Sequence, residues 1–131
     1  MMWFGDKIAL SQRMSTKTFS GSWEAVGGKV EDDEHIIHGI QREIMEEMHL
    51  FVQRHELELL ECITNDPTTD ACYIFSYETF AIRFNDVMNR EKKKRTTWQL
   101  FTIEEALKLP NLMPGLRENI KKRKKHLSMT R

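Results

Sequence analysis

The order of residue patterns predicts an α/β layer fold, because short β-type runs and helical stretches intermix along the whole chain. Two segments carry most of that expectation. Between residues 33 and 50, Ile37, Ile40, Ile44 and Met48 recur at three- and four-residue steps and form one apolar stripe of a helix. Residues 58–64 (ELLECIT) and 71–84 (ACYIFSYETFAIRF) are rich in β-branched and aromatic residues and read as an antiparallel pair, joined by the turn-rich NDPTTD. A chain of 131 residues makes one domain, residues 1–131, large enough for a single core and too small for a separate substrate domain.

Residues 1–4 form a very short first strand, followed by a Gly5-Asp6 turn and a second strand in which Ile8 and Leu10 alternate with Lys7, Ala9 and Ser11. A strand so short suggests an edge left open or covered by another subunit, which allows a monomer or a homodimer. MSTKTFSGS, residues 14–22, is a polar loop. Residues 23–26 are extended and lead into Gly27-Gly28, where glycine lets another group approach the backbone. Asp32 or Asp33 is the expected cap of the helix that follows. Residues 85–97 form a charged connector, and residues 98–101 a short strand. Thr102 opens a helix with Glu104 and Glu105 in its first turn, Pro110 closes it, and a last helix spans residues 115–126 with Leu116 and Ile120 inward.

Twenty basic and twenty acidic residues balance, so no global field recruits nucleic acid or membrane. The two cysteines, Cys62 and Cys72, follow no CxxC pattern and read as reduced, packed thiols rather than a disulfide or zinc site. No apolar run approaches the roughly 20 residues of a membrane helix. The first residues lack the basic and apolar regions of a signal peptide, so the expected location is cytoplasmic.

Residues 27–50 place a glycine-rich loop against a helix whose Glu43, Glu46 and Glu47 converge on one face. Like charges that close repel, so the helix needs a positive offset that Arg42 alone does not meet. A tight turn beside concentrated carboxylates suits a hard divalent cation. The spacing is glycine (Gly28), five residues, Glu34, seven residues, then Arg42-Glu43-Ile44-Met45-Glu46-Glu47-Met48-His49-Leu50. It resembles the signature of Nudix hydrolases at every fixed position but one, His49, which stands where the family has glycine. Trp23-Glu24-Ala25-Val26-Gly27 resembles the family's approach to that box. Leu10-Ser11-Gln12-Arg13, Trp98 and Leu109-Pro110 are similar to MutT-type pyrophosphohydrolases.

The resemblance implies a Nudix fold, a mixed β-sheet sandwiched between α-helices, and hydrolysis of a nucleoside diphosphate linked to a further group. It implies that Mg2+ or Mn2+ is held by Glu43, Glu46, Glu47 and the Gly28 carbonyl. Glu43 is then the base, with Arg42 orienting it, and Glu34 supports the loop. Arg13 and Lys29 occupy positions that contact phosphate in MutT-like enzymes. A further carboxylate just before the late-strand tryptophan is replaced here by Thr96-Thr97, and Glu91 is the nearest substitute. Asn111 is either the base-reading residue or a turn residue ahead of Pro114. Trp23 and Trp98 are either core or stacking platforms. His35, His38 and His55 read as surface or satisfied residues. The run Lys121–Lys125 reads as a solvated helix end, with RNA contact or a nuclear address as the alternative.

The expected reaction is Mg2+-dependent cleavage of a nucleoside triphosphate, an oxidised or non-standard one included, to monophosphate and pyrophosphate. The rivals are ADP-ribose or nucleotide-sugar hydrolysis, RNA-cap hydrolysis and a degenerate nucleotide-binding module. Pro67 and Tyr73 lie out of register with the family patterns for ADP-ribose and dinucleoside polyphosphate enzymes.

Overall fold

The computed structural model describes residues 1–13, 20–28, 30–31, 33–63, 72–87, 97–113 and 115–129. Met2–Phe4 (β1) turns at Gly5-Asp6, with Gly5 at φ +67°, into Lys7–Gln12 (β2). The two pair antiparallel with Trp3 opposite Ile8. Trp23–Glu24 (β3) pairs with the end of β2, and Leu57–Ile63 (β4) pairs antiparallel with Cys72–Thr79 (β5). Gln99–Thr102 (β6) pairs with the start of β2. Because β1 runs parallel to β5, the sheet is mixed, in the order β3-β2-β1-β5-β4, with β6 pairing off that path against Lys7–Leu10 of β2.

The sheet buries a different core on each face. Helix α1, Ile36–Met48, sets Ile44 and Met48 against Met2, Phe4, Ala9, Tyr77 and Trp98. On the other face α2, Ile103–Lys108, and α3, Leu116–Met129, cover Trp3, Ile8 and Leu10 with Ile103, Ala106, Leu116 and Ile120. Full burial of Ile44 and Met48 contributes about 1.5–3 kcal/mol each by apolar transfer, which holds α1 on the sheet. Trp98 belongs to this core, and its Nε1–H donates to the Glu47 carbonyl at 3.1 Å, satisfying one of the orphan acceptors at the end of α1. Thr102 and Glu105 form the expected reciprocal cap of α2.

Several expectations are corrected. The short β1 is no edge: it lies between β2 and β5, and its three residues are all buried. The strand expected to reach Phe84 ends at Thr79, because the chain coils into a 3₁₀ turn over Ala81–Asp86 that lays Phe84 edge-on to Phe4. The cap of α1 is His35, whose Nδ1 accepts from the Ile37 N–H at 3.2 Å; a turn from Glu31 to Glu34, with Asp33 at φ 64°, delays the helix past the aspartates. Cys62 is free but exposed rather than packed. The basic run of α3 is not wholly solvated, since Lys122 meets Glu61, Arg123 pairs with Glu78 and stacks over Trp3, and Lys124 meets Glu104. Asp32, Pro67, Pro114, Thr96, most of the 14–22 loop and most of the 85–97 connector lie outside the described residues. No helix among the described residues is long and apolar enough to cross a membrane.

His49 ends α1 in the left-handed region, φ 59° and ψ 36°, with its N–H donating to the Met45 carbonyl. A side chain there carries a cost that glycine avoids. His49→Gly is therefore expected to raise stability by up to about 1 kcal/mol, part of the gain being offset by glycine's greater unfolded-state entropy. Urea titration of both proteins tests this, and a midpoint that falls in the variant contradicts it.

Candidate active site

The loop before α1 is pinned to the helix by charge. Arg42 points back toward it, donating from Nε to Glu34 Oε2 at 2.8 Å and from Nη2 to Glu34 Oε1 at 3.0 Å, a bidentate pair. Its Nη1 donates to Glu43 Oε1 at 2.9 Å and to Glu46 Oε2 at 3.3 Å, and lies 3.9 Å from Glu31 Oε1. One guanidinium thus serves four carboxylates, more than its sequence position suggests. It is helped by the Gly27 N–H, which donates to Glu47 Oε2 at 3.1 Å. Glu34 also accepts from the Glu31 N–H at 3.0 Å. The Arg42 contact, then the Glu31 N–H, hold the Glu34 carboxyl down to about 2 from its ordinary 4.5, and the same pairing pushes the Arg42 guanidinium further up.

Two glycines make this possible. A Cβ on Gly28 would lie 2.7 Å from Glu43 Oε2 and nearer still to the rest of the carboxylate, so the backbone seats against Glu43 only because no side chain intervenes. A Cβ on Gly39, inside α1, would stand 3.2 Å from Glu34 Oε1 and 3.5 Å from Val30 Cγ2. Its absence lets the loop lie on the helix.

Glu43, Glu46, Glu47, Gly28 and Arg42 are therefore brought together. Their fit to a divalent metal rests on the donor set, which is all hard oxygen, and on the placement of Glu43 and Glu47 directly against the backbone of Gly27-Gly28. Arg42 bridges Glu43 and Glu46, and among the described residues no three carboxylate, histidine or cysteine groups already surround one point. Arg13 stands apart, its Nη1 donating to Glu24 Oε2 at 3.3 Å and its buried Nε without a partner. Lys29 and Glu91 lie outside the described residues.

Beside the cluster opens a cavity of about 720 Å³. Its lining includes Glu24, Gly27, Gly28 and Glu43 together with Tyr73, Phe75 and Asn119, and is otherwise largely apolar. Asn111 is not on this wall. It sits at φ 58° in the turn before α3, where its carbonyl accepts from the Trp23 N–H at 2.9 Å. Trp23 packs edge-on against Phe101, at 5.2 Å between ring centroids, beside the second core. Sequence reasoning missed Asn119, a polar residue 3% exposed, one position before the buried Ile120. The signal was present: an asparagine flanking the apolar stripe of the last helix.

The profile of the NUDIX domain matches residues 3–122 of the chain. No curated protein matches it. Among solved structures of similar fold are a MutT Nudix hydrolase from Burkholderia pseudomallei, with TM-score 0.66, 21% identity and 92% of each chain covered, and a MutT protein from Methanosarcina mazei Go1, with TM-score 0.68, 16% identity and 96% of this chain and 89% of that one covered. A C. elegans Ap4A hydrolase aligns with TM-score 0.62 at 16% identity over 93% of this chain and 87% of that one. At such identities the likeness establishes the fold.

Because the Glu34 carboxyl is lowered on folding, its pairing contributes stability in full above pH 4.5 and loses it as pH falls toward about 2. Glu34→Gln lacks that component. Melting temperatures of the two proteins should therefore differ most above pH 4.5 and converge below it, whereas a gap that stays constant down to about pH 2 contradicts the pairing.

Proposed function

The chain belongs to the Nudix hydrolase family, and from that premise we propose that it is a divalent-metal-dependent pyrophosphohydrolase that cleaves a nucleoside triphosphate to monophosphate and pyrophosphate. Nudix hydrolases generally use divalent metal ions and act on small nucleotide substrates. The observation that carries the reading is the continuity of the carboxylate cluster with the cavity: Glu43 and Gly28 belong to both. A phosphate chain entering at that end places its anhydride bonds at the acids, while the apolar remainder accepts a base.

Within this reading the Gly28 carbonyl, Glu43, Glu46 and Glu47 would hold Mg2+ or Mn2+, and Glu91 would supply a further carboxylate. Such an ion, when bound, would supply charge neutralisation for the phosphates and a more acidic water. Glu43 accepts a proton from the attacking water, a phosphorus–oxygen bond forms, and the anhydride bond opposite breaks, its electron pair leaving on the departing phosphate oxygen. Arg42 keeps Glu43 aimed through the 2.9 Å hydrogen bond. Glu34 fixes Arg42 in turn, and so acts two contacts away from the chemistry. Arg13 and Lys29 meet phosphate in this scheme; Arg13 releases Glu24 to do so. Asn119, rather than Asn111, is the polar group at the base-binding end.

Tyr73 favours a second reading. It is 40% exposed on the cavity wall and offers an aromatic face to a second base, as a dinucleoside polyphosphate would carry.

A nucleotide panel with product identification separates these readings. Nucleoside triphosphates with Mg2+ should yield monophosphate and pyrophosphate faster than ADP-ribose, capped RNA or a dinucleoside polyphosphate is cleaved. Glu46→Gln and Glu47→Gln should each lower kcat by at least about 100-fold with the melting temperature retained. Turnover of another class in preference to triphosphates overturns the substrate assignment, and unchanged phosphate release in both variants overturns the metal site.

A further inference from the structure

Strand β4 carries a bulge. Leu59 faces Phe75 across the ladder and Glu61 faces Ile74, so Leu60 is an extra residue. The consequence is a change of face. On β5, Tyr77 belongs to the core under α1, whereas Glu78, the next residue, pairs with Arg123 of α3. Tyr73 and Phe75 share the parity of Tyr77; Ile74 shares that of Glu78. Without the extra residue Glu61 would stand opposite Tyr73 and face α1. With it, Glu61 faces α3.

There its Oε2 accepts from Asn119 Nδ2 at 3.0 Å, and Lys122 Nζ lies 3.9 Å from the same oxygen. The second Nδ2 proton of Asn119 goes to the Gly115 carbonyl at 2.9 Å. Two acceptors thus flank the amide nitrogen, and rotating the amide would set its oxygen against a carboxylate and a carbonyl. The orientation is locked by charge. Asn119 is nine-tenths buried and lines the cavity, and with both Nδ2 protons committed its uncommitted group is the carbonyl oxygen.

Resting on the nucleotide reading above, we infer that Glu61 is a positioning residue that turns the Asn119 amide oxygen toward the cavity, and that the site thereby selects a nucleobase presenting an exocyclic amine. The carboxylate touches no substrate and acts through Asn119. An acceptor held in a buried site rejects a base that lacks the matching donor, because its own hydrogen bond is then unmade.

The test compares pairs that differ at one amine: guanosine with inosine triphosphate and cytidine with uridine triphosphate. Wild type should favour the amine-bearing member by about tenfold in kcat/KM. Glu61→Ala should bring that ratio close to unity, through a raised KM on the amine-bearing member. Glu61→Gln, which still offers an oxygen to Asn119, should keep most of it. A merely structural role would lower the melting temperature and leave the ratio alone. If Glu61→Ala does not fold, Asn119→Ala carries the same comparison, since it deletes the acceptor itself. A preference absent in wild type, or persisting in whichever of those variants is measured, overturns the inference while leaving the pyrophosphohydrolase reading intact. Hydrolysis of none of the four nucleotides overturns that reading and this one with it.

Discussion

The Arg42 guanidinium is the contact on which the site depends. Glu43, Glu46 and Glu47 crowd one stretch of helix, and uncompensated they would repel one another and weaken α1. Arg42 offsets Glu43 and Glu46 by reaching forward along the helix to both, and it reaches back to Glu34 and Glu31 in the loop. The same contact that relieves repulsion therefore fixes the loop over the helix and brings Gly28 against Glu43. Stability and the geometry of the carboxylate cluster share one residue here. Loss of Arg42 would both loosen the loop and release the carboxylates.

That arrangement is only as rigid as the helix that bears it. Ile44 and Met48 tie α1 to the sheet from below, and the Trp98 indole ties its last turn by donating to the Glu47 carbonyl. Glu47 is consequently held from two directions, its carbonyl by Trp98 and its carboxylate by the Gly27 N–H. The core face of the helix thus controls where the acidic face lies. On the opposite side of the sheet α3 brings Asn119 to the cavity, and the ion pairs of its basic run with Glu61, Glu78 and Glu104 hold it there.

What could be read in the chain follows how local each cause is. The stripe of α1 and the cap at Thr102 and Glu105 are each written within a few positions, and the structure carries the cap and packs Ile40, Ile44 and Met48 into the core. Two expectations failed, one through a partner distant in sequence and one through a turn the residue pattern does not announce. The short β1 is interior because it pairs with β5, more than seventy residues away. The aspartate cap yielded to His35 because a turn from Glu31 to Glu34 delays the helix. In the site, the acidic cluster beside a glycine loop is visible in the spacing, and the roles given to Glu43, Glu46, Glu47 and Gly28 come from the resemblance to the Nudix signature. Asn119 and Glu61 meet only through a bulge in β4, and no pattern in residues 57–63 announces an extra residue.

The central claim is that these carboxylates, aligned by Arg42 against the glycine loop, bind a hard divalent cation. Calorimetric titration of Mn2+ into the wild-type protein and into Glu43→Gln, without nucleotide, tests it apart from turnover. The account predicts saturable binding in wild type that is weakened at least about tenfold in Glu43→Gln, each lost carboxylate ligand removing a charged oxygen from the ion's shell. Equal affinity in the two proteins would contradict it.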